Sequence, residues 1–541
     1  MSTEVHSAQG EEVEGIHKSG FRFPQQLTLI ALLLGLGVEI LYFGHPFGIS
    51  VPIWAALCVI ALLVSARLEA VDASRSSFLL VIPILFFAIM TFLRLEPMTA
   101  FLSFVSILVL LTLWTWSFQA DRLQDYGWLD FFVVLVRVPL EAWIRPWSVM
   151  GDTQRKVVKE GKGRSAALAI LRGLILALPV LIILLALLVS ADLVFADWVE
   201  EALSWLNLER LLDWTARALV VLVCWVFFLG AIVIALHDPG ERKLIGKDEP
   251  IVKPFLGVIE SLVVLGLVDL LFMIFVAVQF AYLFGGESNI TAAGYTYSEY
   301  ARRGFGELVA VGVLSLGLIL AFGNFTKRED RRARTWYNVL SALLVAEVGV
   351  ILISALRRLL LYEEAYGFTR LRTYTHFFIP WMGILLLAFL ILLLRGNLRR
   401  FAPVVALGAF GYVATLGLLN IDAFIVDRNV ERLEDTGEID LDYLVSLSED
   451  AVPGLVDLAE DGPKDVREEL IPQLACWYAQ LDERKDDLSW QSFHLSRYTA
   501  VEDLESLKSL FKQYEITNER GQWYVMVDGK EVYCMHQWWI D

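Results

Sequence analysis

Long apolar runs broken by short polar segments continue to about residue 423, and a charged, mixed-pattern stretch closes the chain. Crossing a hydrocarbon core of about 30 Å takes about 20 apolar residues in an α-helix. Eleven stretches read as such spans: 27–43, 49–65, 77–93, 97–118, 166–190, 215–236, 255–283, 306–325, 337–361, 376–395 and 402–423. The first two are short, as tilted partners of a hairpin around Gly44-His45-Pro46. Pro83 and Pro179 fall inside spans, where neighbouring helices satisfy the carbonyl a proline frees, so each reads as a kink. Residues 121–150 and 192–214 mix tryptophans (Trp128, Trp143, Trp147, Trp198) with charge, the pattern of helices lying at headgroup level.

Beyond residue 423 the pattern predicts helices near 440–447, 452–460, 464–481 and 498–514. A β-hairpin follows: Tyr524-Val525-Met526-Val527, the turn Asp528-Gly529, then Glu531-Val532-Tyr533-Cys534. Asp-Gly suits that turn because its two central positions need positive φ. The predicted fold class is therefore all-α: a polytopic transmembrane helix bundle with a small, mostly helical soluble domain ending in a hairpin. Its expected parts are a polar tail (1–26), a transmembrane domain (27–423) and an acidic C-terminal domain (424–541). The apolar run after Lys18 and Arg22 exceeds a signal core and has no small-x-small cleavage site, so the first helix is expected to stay.

Composition agrees. The 541 residues are 57% hydrophobic and 20% charged, outside the range of soluble globular chains. Net charge is −17, which excludes the basic footprint of a nucleic-acid binder. Residues 424–541 hold 27 acidic against 11 basic side chains, whereas 1–423 hold 35 against 34. Basic residues concentrate in the loops 119–165 (eight), 237–254 (four) and 326–336 (five). Cytoplasmic loops carry that excess, so the N-terminus is expected inside and the C-terminal domain outside. Of the four cysteines, Cys58 and Cys224 lie in spans. Cys476 and Cys534 share the outer domain, where an oxidising compartment permits a disulfide and two free thiols are the alternative.

No P-loop, dinucleotide fingerprint, zinc-binding pattern or hydrolase nucleophile elbow occurs, so neither cofactor nor metal is predicted. The chemistry lies in misplaced charge. A charged side chain at mid-span costs at least about 2.5–3.5 kcal/mol and needs a partner or a cavity. Asp269 and Glu347 sit near the middle of their spans, where a proton or ion relay would place them; a structural pair with Arg172 or with hydroxyl donors is the alternative. On the outer side, Thr296-Tyr297-Ser298-Glu299 fits a capping box leading into Arg302, Arg303 and Glu307. Arg357, Arg358, Arg370 and Arg372 oppose the positive-inside trend; anion binding explains them, as does anchoring to headgroups with Glu363 and Glu364 as counter-ions.

Several stretches resemble an uncharacterised bacterial family of multi-pass membrane proteins known by a domain of unknown function. They are Leu188 to Phe195; Tyr300-Ala301-Arg302-Arg303-Gly304-Phe305-Gly306-Glu307-Leu308; Tyr366-Gly367-Phe368-Thr369-Arg370-Leu371-Arg372; Asn420-Ile421-Asp422 with Asn429 and Arg432; and Leu447-Ser448-x-Asp450-Ala451-Val452-Pro453. The resemblance implies a bacterial plasma membrane and no assigned activity. The four membrane-associated stretches all fall at outer span ends. Asp192, Arg302, Arg303, Glu307, Arg370, Arg372 and Asp422 are accordingly expected to converge on one site for an anionic solute or lipid headgroup, with Asp269 and Glu347 coupling protons or ions. Two alternatives stay open: an envelope sensor or scaffold meeting a protein partner through the acidic domain, and a membrane enzyme on a lipid-linked substrate with Glu307 or Asp422 as base.

Overall fold

The computed structural model describes residues 21–119, 126–147, 208–236, 256–282, 305–326, 331–485, 489–520 and 522–534, with isolated positions 184, 188, 192, 194 and 195. Up to residue 419 it is helical: α1 (Pro24–Tyr42), α2 (Ser50–Glu69), α3 (Arg75–Leu79), α4 (Val81–Leu93), α5 (Pro97–Ser117), α6 (Trp128–Ile144), α7 (Leu208–Leu236), α8 (Val258–Tyr282), α9 (Phe305–Phe325), α10 (Arg331–Tyr366), α11 (Arg370–Leu394) and α12 (Phe401–Leu419). Among the described residues nine helical stretches are long and apolar enough to cross a membrane, and Gly306–Phe322 is apolar but shorter. These ten match ten of the expected spans; the remaining one, 166–190, lies outside the described residues apart from positions 184 and 188. The helix expected from 215 starts earlier, at Leu208. Pro83 offers no N–H to Leu79, and the helix tightens there: α3 and α4 meet at Leu80, which keeps right-handed helical angles. Pro179 lies outside the described residues.

Large aliphatic side chains point outward along the spans: Ile259, Leu314 and Leu407 are each more than 70% exposed. In water such surfaces would aggregate; in hydrocarbon a leucine meets its own kind, and helices associate through close packing instead.

The chain forms two compact units. The first comprises Met1–Leu36, Ala61–Asp72 and Leu140–Leu236. Here glycine brings backbones together. A Cβ on Gly35 would lie 2.8 Å from the Val221 carbonyl, and one on Gly230 would overlap Ala142. The Trp225 indole N–H donates to the Thr28 carbonyl at 3.1 Å beside the first of these contacts.

The second unit comprises Gly37–Ile60, Ala73–Pro139 and His237–Asp541. Within it α8 and α9 pack on α10, which packs on α11, followed by α12, α5 and α4. Leu265, Ile319, Tyr337, Leu344, Val348 and Phe389 form the core of the α8–α11 part. Residues beyond 420 continue the unit with α13 (Ile421–Thr436), α14 (Leu441–Val445), a 3-10 turn (Glu449–Ala451), α15 (Val452–Asp461), α16 (Lys464–Lys485), α17 (Leu495–Ser506) and α18 (Lys508–Phe511). Their apolar faces close over Leu444, Leu455, Leu470, Leu474 and Leu504.

The expected hairpin is present as β2 (Gln522–Val527) and β3 (Lys530–Tyr533), with φ of 52° at Asp528 and 75° at Gly529. A third strand, β1 (Ile516–Glu519), pairs antiparallel with β2 and was not expected, because Ile516-Thr517-Asn518-Glu519 carries no apolar alternation. Cys476 and Cys534 are joined in a disulfide whose Cα atoms lie 5.9 Å apart, tying the sheet to α16.

This C-terminal region caps one end of the second unit. The Ile49 N–H in the α1–α2 turn donates to the Phe493 carbonyl at 2.8 Å. The His494 ring Nε2 donates to the Thr91 carbonyl at 3.1 Å near the end of α4. In the α10–α11 turn the Phe368 N–H donates to Asn429 at 3.0 Å. These turns share one face, and each is a turn that the distribution of basic residues assigns to the outside.

The disulfide closes a loop with a sequence separation of 58. Loop-closure entropy for that length predicts a loss of about 4 kcal/mol when it is opened. Reducing agent, or Cys534→Ser, should lower the denaturation midpoint of the full chain in detergent; an unchanged midpoint would show that the sheet holds without it.

Candidate functional site

Carboxylates from three distant segments gather where α4, α5 and α11 reach the C-terminal region, two of them, Asp422 and Glu96, at the Arg370 guanidinium. Glu96 precedes Pro97, the first residue of α5, and its carboxylate accepts the N–H groups of Met98 at 2.9 Å and Thr99 at 2.7 Å. That satisfies first-turn donors in the ordinary manner of a helix N-cap. Asp450, in the 3-10 turn, reaches the same corner: its Oδ2 accepts from the N–H of Leu95 at 2.7 Å and of Glu96 at 3.0 Å. Its Oδ1 accepts from the Ser496 hydroxyl.

Asp422 is fully buried in the first turn of α13. It accepts from Arg370 Nε at 2.8 Å and Nη2 at 2.5 Å, a bidentate fork. It also accepts the Ser448 N–H at 2.8 Å and hydroxyl at 2.6 Å. Arg370 opens α11; its backbone N–H donates to the Tyr443 hydroxyl at 2.7 Å, and its Nε lies 4.0 Å from Glu96. One turn further along α11, Tyr374 donates its hydroxyl to Glu96. Burial pushes the Asp450 carboxyl up to about 6, although the donors from Ser496, Leu95 and Glu96 pull it down. Burial, with Arg497 nearby, holds the His494 imidazole down to about 3.

A second layer surrounds this joint. The Arg372 guanidinium stacks 3.9 Å from the Tyr362 ring centre and donates to the carbonyls of Tyr366, at 3.0 Å, and Gly367. Arg432 donates to the carbonyls of Glu364 at 3.0 Å and Ala365 at 2.9 Å, closing the end of α10. Asn429 pairs with the N–H and carbonyl of Phe368, each at 3.0 Å. Gly367, at φ 75°, is required beside it, because a Cβ there would collide with the Asn429 side chain. Glu363 is buried and lies 2.9 Å from His376 Nδ1.

The residues singled out from sequence are distributed as follows. Arg370 and Asp422 are bonded to each other. Arg372 lies two residues from Arg370 on the same helix but is engaged with the end of α10. Asp192 belongs to the first unit, where it is exposed and accepts from the N–H groups of Val194 at 2.8 Å and Phe195 at 3.0 Å. Glu307 is exposed in the first turn of α9. Arg302, Arg303 and the expected capping box at Thr296 and Glu299 lie outside the described residues. Asp269 on α8 and Glu347 on α10 are 2% and 6% exposed, and none of their four carboxylate oxygens has a hydrogen-bond partner among the described residues.

Sequence reasoning gave no role to Glu96, Tyr374, Tyr443, Ser448, Asp450 or Ser496. Glu96 before Pro97 carried a local signal, since a capping side chain ahead of proline at the first helical position marks a helix start. Ser448 and Asp450 lay inside a motif already noted, without a reason for it. Of the carboxylates at the joint, Asp422 takes both guanidinium nitrogens of the Arg370 fork, and Asp450 is held by backbone N–H groups and Ser496.

A family profile described as a domain of unknown function (DUF4153) matches residues 81–458. No curated protein and no solved structure matches the chain.

Removing one partner of a buried pair leaves an uncompensated charge, so Arg370→Ala and Asp422→Ala should each lower unfolding stability by about 3–5 kcal/mol. The double variant should lose much less than the sum; additive losses in chemical denaturation would show that the fork is not a coupled unit. The pH response separates two further groups. Asp450 binds its proton more tightly folded than unfolded, so its contribution is complete below its ordinary value of 3.8 and is lost as pH rises through about 6. His494 acts oppositely, contributing above 6.5 and losing that contribution as pH falls toward 3. Between pH 6 and 4 the two offset each other: Asp450→Asn should leave a protein destabilised by acid, and His494→Gln one stabilised by it. Parallel stability profiles for the two variants would contradict this assignment.

Proposed function

The chain belongs to the family of the domain of unknown function DUF4153, and from that premise we propose that it is a multi-pass protein of a bacterial plasma membrane that presents its acidic C-terminal domain, rigidly held, as a scaffold or sensor for an envelope partner. The observation that carries this reading is the Arg370–Asp422 fork inside a joint where each carboxylate has its donors. An anion receptor needs a guanidinium with donors to offer. Arg370, through Nε and Nη2, donates instead to Asp422, Arg372 to Tyr366 and Gly367, and Arg432 to Glu364 and Ala365. What the joint does offer is rigidity, which a domain needs if it is to report a partner's arrival to the helices beneath it.

The partner's chemistry follows from the surface. Glu434, Asp435, Glu438, Asp461, Asp465, Glu468 and Glu469 are exposed, so the matching surface is basic. The sidedness rests on two supports. The disulfide between Cys476 and Cys534 belongs to an oxidising compartment. Of the turns under the C-terminal region, those at 44–50 and 94–96 are poor in lysine and arginine. The basic loops 119–165, 237–254 and 326–336 lie between the other span ends, which puts the N-terminus in the cytoplasm although the α10–α11 turn is arginine-rich. Transport remains the second reading, favoured by the buried acids Asp269 and Glu347.

Native mass spectrometry of the purified full chain tests the choice. Wild type and Arg370→Lys should carry the same lipids and solutes, with the variant only less stable. Loss of one anionic species from the variant would overturn the scaffold reading and restore an anion site. Sidedness is checked with Asp461→Cys, which should react with a membrane-impermeant maleimide on intact cells; reaction only after lysis would reverse the orientation.

A further inference from the structure

Halfway along the α8–α10 seam the bundle contains two acids and no obvious reason for them. Asp269 lies about 17 Å from the start of α8 and Glu347 about 24 Å from the start of α10, at 1.5 Å per residue, so each is far from its helix ends. They are 2% and 6% exposed and lie within electrostatic reach of each other. Helical spacing puts Leu265 and Phe272 beside Asp269, and Leu344 and Ile351 beside Glu347. These residues belong to the apolar core of the second unit. Among the described residues no hydrogen bond reaches any of the four carboxylate oxygens. On α10, Arg358 stands about 16 Å further along, with Nη2 on Gln279 at 2.9 Å. It holds that end of the seam through Gln279.

Two carboxylates cannot both stay charged there. Each ionised group at mid-span costs at least about 2.5–3.5 kcal/mol, and like charge beside it adds repulsion. Arg172, the partner that the sequence offered, lies outside the described residues, and among the described residues no hydrogen bond answers the pair. Calcium takes six to eight oxygens and magnesium keeps several of its own waters, a large polar shell for a pair set in an apolar core. A single positive charge matches what two acids need when one is already protonated or the two share it.

We propose that Asp269 and Glu347 form a membrane-embedded site for one monovalent cation, a proton or Na⁺, held between α8 and α10. Polar groups along α8 lie on either side of the site, one bonded to the end of α9 and one to α10. Ser261 and Thr326 share a hydrogen bond of 2.7 Å on the side toward the start of α8. Gln279, accepting from Ser354 at 2.7 Å and from Arg358, lies on the other. Steps of about 12–15 Å along the helix separate these groups from Asp269. The site is independent of the scaffold reading: it concerns helices away from the outer joint, and it would serve a sensor that reads ion gradients as well as a transporter.

Infrared spectroscopy of the full chain in lipid nanodiscs distinguishes the outcomes through the C=O stretch of a protonated carboxyl. If the occupant is a proton, wild type shows that band at neutral pH equally in NaCl, KCl and choline chloride. The band is then reduced in Asp269→Asn and in Glu347→Gln but unchanged in Asp503→Asn. If it is Na⁺, the band appears in choline chloride and is titrated away by NaCl, and the thermal midpoint rises with NaCl but not with KCl. The wild-type titrations need no variant, so a substitution that fails to fold leaves the test intact. A wild-type protein without such a band in any of these salts, and with a midpoint indifferent to Na⁺, would overturn the proposal.

Discussion

A bidentate ion pair buried at the junction of membrane and domain is tolerable only if every remaining lone pair and proton around it is used. The Arg370–Asp422 fork is supported in that way on the carboxylate side: Asp422 takes two more donors from Ser448, and the Arg370 backbone N–H goes to Tyr443. Desolvating two charges costs several kcal/mol per ion, and attraction repays it only when geometry and secondary hydrogen bonds are both good. The start of α11, the start of α13 and the Ser448–Asp450 turn are therefore fixed together or not at all. Glu96 and Asp450 extend the same condition to the α4–α5 turn.

The same logic accounts for the arrangement of the C-terminal region. Helices leave unsatisfied N–H groups at one end and carbonyls at the other, and near a bilayer water is a poor resource for them. Here the domain supplies the caps in trans. Arg432 serves the last carbonyls of α10; Tyr443 and Asn429 serve the backbone at the start of α11; Asp450 serves the N–H groups ahead of α5. A domain bound through helix termini is coupled to the tilt of each helix it caps. That coupling is why rigidity, rather than ligand capture, is the property the joint expresses most directly.

Much of this was legible in the chain, and what was not has a physical cause. The spans and the hairpin follow from local patterns, apolar length and Asp528-Gly529. Arg370 and Asp422 were each recognisable as charges out of place, but their pairing joins positions 52 residues apart and no local pattern encodes it. Arg370 and Arg372 looked like one feature. Residues two apart on a helix point to different sides, and each met a different partner. Glu363 read as an exposed counter-ion, whereas α10 turns it inward to His376. Asp450 looked like one more acid in an acidic domain, because what sets it apart is the backbone of Leu95 and Glu96, contributed from far along the chain.

The two acidic groups of the second unit are opposite solutions to one problem. At the joint with the C-terminal region, negative charge is matched by a guanidinium, hydroxyls and backbone N–H groups that belong to the chain. Such a group has nothing to gain from an exchangeable ion and resists change. At Asp269 and Glu347 no such match is found among the described residues, although the surroundings are less polar and the need is greater. An uncompensated acid pair deep in a bundle is costly in any static role, since two apolar residues of similar size would pack better there. Keeping the acids makes sense where their compensation arrives from outside and can leave again. The joint with the C-terminal region gives the helices it caps a fixed reference, whereas the acid pair, on the site proposed for it, gives α8 and α10 a charge state that can vary.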